Sequence, residues 1–192
     1  MDTIWWVVIA VVAIVLVAIA AQAYARSRRR SGLREQFGPE YDRTVGATGS
    51  ERKAERELAE REREHASLHI RPLSEDARAR LSGDWQRAES HFVDDPELAA
   101  READRVVRDV LDARGYPSDD FDRQAAAVSV DHPHVVDRYR HGHEMVHSNG
   151  ASGDERTENL RQAMVDFRAV FHELVEETEP APDPDPEPAT RS

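Results

Sequence analysis

The sequence predicts an all-α protein: an N-terminal transmembrane helix, a small helical bundle, and a disordered tail rich in proline and acid. Three observations carry that expectation. Apolar residues recur at steps of three and four, the spacing of one helical face. Ser, Thr or Asp before acidic residues or proline opens the segments, and glycine or an X-Pro pair closes them. No stretch shows a convincing alternation of apolar and polar residues as a half-buried strand would, and there is no internal repeat. The expected divisions are an anchor at 1–25, a basic juxtamembrane segment and charged helical spacer at 26–73, the bundle at 74–178 and the tail at 179–192.

From Ile4 to Ala25 the chain carries no charged residue. At about 1.5 Å of rise per residue this run is about 33 Å long as a helix, enough to cross a hydrocarbon core of about 30 Å. Trp5 and Trp6 at one end and Tyr24 at the other fit interfacial aromatic belts, and Arg26, Arg28, Arg29 and Arg30 follow at once, where only Asp2 precedes. Basic flanks stay in the cytoplasm, so the expected topology is single-pass in the inner (plasma) membrane, with the N-terminus outside and the C-terminal domain cytoplasmic. Ala21-Gln22-Ala23 resembles a signal-peptide cleavage site and leaves an exported protein as an alternative. Against it stand the absence of basic residues before the run and the length of the run itself.

Gly38-Pro39 breaks the chain, and Pro39 opens a short helical turn through Val45 that places Phe37, Tyr41 and Val45 four apart. Residues 50–66 interleave Glu with Arg and Lys and offer only Ala54, Leu58 and the later Leu68 as apolar anchors, the pattern of a solvated helix. Ile70-Arg71-Pro72 is extended, because the residue before proline is pushed away from α geometry. Ser74 then caps a helix with Leu81, Trp85, Ala88 and Phe92 on one face.

Asp95 and Pro96 open the next helix, whose Ala99, Ala103, Val106, Val107, Val110 and Leu111 form a stripe that ends at Gly115. Ser118 is the expected cap of a shorter helix with Phe121, Ala125 and Val128 inward, broken at residues 129–133. A further helix carries Val135, Val136, Tyr139, His143 and Val146 and is closed by Gly150. Residues 151–156 read as a loop. Thr157 is the expected cap of the most periodic helix, with Leu160, Met164, Phe167, Phe171 and Leu174. The alternation of Pro with Ala, Asp or Glu from Pro180 cannot bury a core.

Composition narrows the function. A net charge of −12 makes nucleic acid an unfavourable partner, since long-range repulsion outweighs an isolated arginine cluster. Without cysteine there is no disulfide, thiolate nucleophile or iron–sulfur site. No glycine-rich phosphate loop precedes a helix, and no serine-based constellation stands out.

One motif carries chemistry. His143-Glu144-Met145-Val146-His147 matches H-E-x-x-H, in which two histidines one turn apart bind zinc and the glutamate polarises the attacking water. Gly150 stands where the longer metzincin pattern has its glycine, but the third ligand would fall on Gly153, with Asp154 one residue out of register. A thermolysin-like set would instead take a glutamate from a later helix, for which Glu173, Glu176 and Glu177 are the candidates. The preferred reading has no cofactor: His143 packs between Tyr139 and Val146, and His147 is partly exposed.

The segments Phe37-Gly38-Pro39-Glu40-Tyr41-Asp42-Arg43, Ile70-Arg71-Pro72-Leu73, Phe92-Val93-Asp94-Asp95-Pro96, Arg114-Gly115-Tyr116-Pro117, Ser129-Val130-Asp131-His132-Pro133 and Leu160-Arg161-Gln162-Ala163-Met164 are together similar to those of an uncharacterised family of small membrane-anchored helical proteins of high-GC actinobacteria. The resemblance spans about Leu33 to Leu174. It implies one helical domain behind a hydrophobic segment and carries over no catalytic residue.

The expectation is therefore an interaction or scaffold module rather than an enzyme, with the lipid bilayer and a further protein as partners. The alternative is a membrane-anchored zinc metallopeptidase built on His143, Glu144 and His147. The expected core is Leu81, Trp85, Phe92, Val106, Val110, Leu160, Met164, Phe167, Phe171 and Leu174.

Overall fold

The structure, a computed structural model, describes residues 2–148, 150 and 152–176, except for the side chains of residues 2–4, 7–13, 15, 23, 25 and 26. The tail expected at 179–192 lies outside the described residues. Eight helices and no strand make up the described chain: α1 (Asp2–Phe37), α2 (Pro39–Thr48), α3 (Glu51–His65), α4 (Glu75–His91), α5 (Pro96–Arg114), α6 (Phe121–Asp131), α7 (Val136–His147) and α8 (Asp154–Glu176). They fall into two compact units, the first reaching Arg63 and the second beginning at Glu64.

In the first unit, α1 continues past Ala25 to Phe37, because nothing between them breaks a helix until Gly38 adopts φ 48°. Pro39, which has no N–H to lose, then starts α2, and α2 reaches Thr48 rather than stopping at Val45. Leu33, Phe37, Tyr41, Ala54 and Leu58 are buried. The charged helix α3 is thus more than a solvated spacer, and Glu40 shows why. Its carboxylate is wholly enclosed and accepts a 2.6 Å bond from Arg61 of α3. A carboxylate removed from water needs such a partner, since unpaired it would cost several kcal/mol, of order 3–5. Among the described residues no helix is long and apolar enough to cross a membrane. Most side chains in the first half of the expected anchor lie outside the described set.

In the second unit, α5 packs against α4, α7 and α8, and α8 packs along α7. Helix starts follow local chemistry. Ser74 Oγ accepts from the Ala77 amide at 3.3 Å, and Asp95 Oδ1 from Leu98 at 3.0 Å. α6 is capped by Asp120, whose carboxylate accepts from Arg123 at 2.9 Å, and not by Ser118. The charged acceptor suits the positive end of the helix dipole better than a hydroxyl. α7 ends in extended geometry at Ser148, two residues before Gly150. α8 begins at Asp154, so Thr157 lies inside its first turn and donates to the Gly153 carbonyl.

Leu81, Trp85, Val106, Val110, Leu160, Met164, Phe167, Phe171 and Leu174 are buried. Phe92 is only partly buried, because it follows the last turn of α4 and lies at the rim of the core. The stripes of α4 and α8 meet where Trp85 stacks on Phe171, with ring centroids 4.8 Å apart and planes 16° from parallel. Arg114, buried at the end of α5, donates to the Leu174 carbonyl at 3.0 Å and so satisfies one of the last acceptors of α8.

Gly142 sets the distance between α7 and α8. A Cβ there would lie 2.9 Å from Cε1 of the fully buried Phe167. Overpacking of this kind costs about 1–3 kcal/mol, against about 1 kcal/mol of helix propensity gained on replacing glycine. Gly142→Ala is therefore expected to lower the thermal midpoint modestly, and a rise in calorimetry would show that Phe167 has room to turn.

Candidate functional site

His143 and His147 are four residues apart on α7, about 40° round the helix from one another, so they share a face. That face meets α5, and the residue opposite is Asp104. Asp104 Oδ1 lies 3.1 Å from His143 Nδ1, and Oδ2 lies 3.4 Å from His147 Nε2. One ligating atom from each of the three residues falls within 4.8 Å of the others. The Asp104 side chain is 1% exposed, His143 23% and His147 52%, so the cluster runs from the core out to solvent.

The surroundings hold these groups in place. Phe121 of α6 stacks on the His143 ring at 3.7 Å, with planes 11° apart, and packs on Tyr139 at 5.0 Å. Tyr139 donates to Gln124 Oε1 at 2.7 Å, and burial, reinforced by the Asp104 charge, pushes its hydroxyl pKa up. Arg108, one turn along α5, reaches Asp104 Oδ2 at 3.0 Å. Burial works to raise the Asp104 pKa, but the His143 bond, the Arg108 and His143 charges and the His147 bond together hold it below the usual carboxylate range. The carboxylate is thereby kept ionised inside the fold.

Other histidines of the region go to different acids. His141, on another side of α7, pairs with Asp166 at 2.6 Å, and His132 approaches Glu173 at 3.7 Å. Glu176 lies 3.6 Å from His172, and Glu177 is outside the described residues. Glu173 and Glu176 thus face elsewhere, and the carboxylate brought to the two histidines comes from α5. Glu144 is exposed beside them. A sequence signal for Asp104 exists: it is an acid set inside the apolar stripe of α5, four residues after Ala100 and three before Val107, both fully buried.

Arg156 locks the same two helices together. Its guanidinium grips Glu97 of α5 through two bonds of 2.6 and 3.0 Å. It also donates to the carbonyls of Met145, Val146 and Ser148 at 2.6, 2.8 and 3.2 Å, at the C-terminal end of α7 where acceptors lack helical partners.

A second feature belongs to α1. Trp5, Trp6, Ile14, Leu16, Val17, Ile19 and Tyr24 are 58–70% exposed. Of the arginines behind them, Arg28 and Arg29 are exposed, Arg30 pairs with Glu51, and the Arg26 side chain is outside the described residues. Arg29, Leu33, Arg52, Glu55, Arg56, Ala59 and Arg63 line a groove of about 660 Å³ with four guanidinium groups and one carboxylate. Comparison with protein-family models, curated proteins and solved structures finds no match.

Proposed function

We propose that this chain is a single-pass membrane protein that holds an acidic helical domain at the cytoplasmic face of the plasma membrane, where the domain serves as an interaction module. The observation that carries this reading is the uncharged run Ile4–Ala25, set within one continuous helix and followed at once by arginines. Its described apolar side chains are exposed, and transfer of such a row out of water is favourable by about 25 cal/mol per Å². The arginine-lined groove next to it suits anionic lipid headgroups, which attract basic side chains near the surface by about 1 kcal/mol each. The negative charge of the chain as a whole favours a basic protein surface as the partner.

Cell fractionation tests the anchor. The full chain should stay with membranes after alkaline extraction, and Ile14→Arg with Val17→Arg should release it, since each arginine at the centre of a span costs about 2.5–3.5 kcal/mol. In spheroplasts a C-terminal epitope should resist added protease until the membrane is opened. Digestion of that epitope in intact spheroplasts, or a mature N-terminus just after Ala23, would replace this reading with an exported protein.

A further inference from the structure

We propose that Asp104, His143 and His147 form a binding site for a divalent transition-metal ion of the zinc type, which clamps α7 to α5. Four features of the cluster support this, none of which depends on the membrane reading. The donor set is right: two imidazole nitrogens and one carboxylate oxygen suit zinc and its neighbours, whereas calcium and magnesium prefer all-oxygen sets.

The spacing is right as well. Ligands about 2.0 Å from a tetrahedral ion are about 3.3 Å from one another. Each Asp104 oxygen sits near this spacing from its own imidazole, Oδ1 at 3.1 Å from His143 Nδ1 and Oδ2 at 3.4 Å from His147 Nε2, so the carboxylate offers a donor to either side. One donor atom from each of the three residues lies within 4.8 Å of the others, and side-chain rotations close the remainder. His147, half-exposed, is free to make them.

Pre-organisation is the third feature. Asp104 is buried and its helix is packed against α7, while Phe121 fixes the plane of the His143 ring by stacking on it. A ligand ring held by its neighbours loses little freedom when an ion arrives. Access is the fourth: exposure rises from Asp104 to His147, so the ion enters from the solvent side, and three protein ligands leave a fourth position for water.

Arg108 opposes the ion. Its guanidinium takes Asp104 Oδ2 at 3.0 Å and places a positive charge beside the site. Being 46% exposed, Arg108 can turn outward when the carboxylate is needed.

The test uses the full chain in detergent, stripped with chelator and then titrated with Zn²⁺ by calorimetry. Co²⁺ serves as a visible-absorption probe of the ligand geometry. One equivalent should bind and raise the thermal midpoint, and chelator should reverse the shift. His147→Ala, which removes a half-exposed side chain, should weaken binding more than about 100-fold, beyond what the loss of a mere supporting partner costs. Asp104→Asn should do the same, whereas His172→Ala should leave stoichiometry and affinity unchanged. Arg108→Gln should tighten binding about two- to fivefold, the scale of an exposed charge pair. Far-UV circular dichroism confirms that the His147→Ala chain is folded. Binding well below one equivalent, or stoichiometric binding undiminished in His147→Ala, overturns the proposal, and so does weaker binding in Arg108→Gln.

Discussion

Phe167→Ala is expected to cost about 3–5 kcal/mol, the range for removing a fully buried aromatic ring. Phe167 is 0% exposed and fills the space that Gly142 leaves open between α7 and α8. Those helices pack along their length, so the ring has no solvent-filled margin into which the cavity could collapse. A small domain is held by about 5–15 kcal/mol, and the change would consume a large part of it. The thermal midpoint should fall by roughly 10 °C or more. Glu158→Ala provides the contrast: its partner Arg161 is exposed on the same helix, and such pairs contribute little. A midpoint unmoved in Phe167→Ala would mean that α8 docks on the bundle without carrying its core.

Arg156→Ala is the second large effect, expected at about 2–3 kcal/mol near neutral pH from the lost charged hydrogen bonds and the carbonyls left without donors. Arginine is needed for its planar fork, which meets both oxygens of Glu97 while still reaching three carbonyls. Arg156→Lys should therefore recover only a fraction of the loss.

The same pair predicts a pH dependence. The hydrogen bond from Arg156 lowers the Glu97 pKa to about 2 from an ordinary 4.5, against the opposing effect of burial and with help from Arg101. A carboxylate with a depressed folded-state pKa contributes its stability above the unfolded value and loses it as pH falls through the folded one. Urea melts of the parent chain should thus weaken as pH falls from about 4.5 to 2, and Arg156→Ala should be flatter over that window. Parallel profiles would show that the pair contributes no pH-dependent stability. Because Glu97 remains 39% exposed, solvent screening keeps this part of the effect small.

The sequence by itself determined the all-helical class and much of the punctuation, because those signals are local. The Ser74 and Asp95 caps, the left-handed Gly115 and the period of Leu160, Met164, Phe167, Phe171 and Leu174 each act within a few residues of themselves. Where local signals competed, the reading slipped by two residues or a turn: Asp120 took the cap from Ser118, and α8 began at Asp154 ahead of Thr157. Only the tertiary structure decided which carboxylate meets His143 and His147. Asp104 lies 39 and 43 residues before them, and that distance closes only through the packing of α5 on α7. It also decided the role of Arg156, which lay in a segment that read as loop, and that of Glu40, enclosed beside Arg61. Periodicity records that a helix has a buried side. Which polar group on that side meets which partner depends on helix crossings that no single segment encodes.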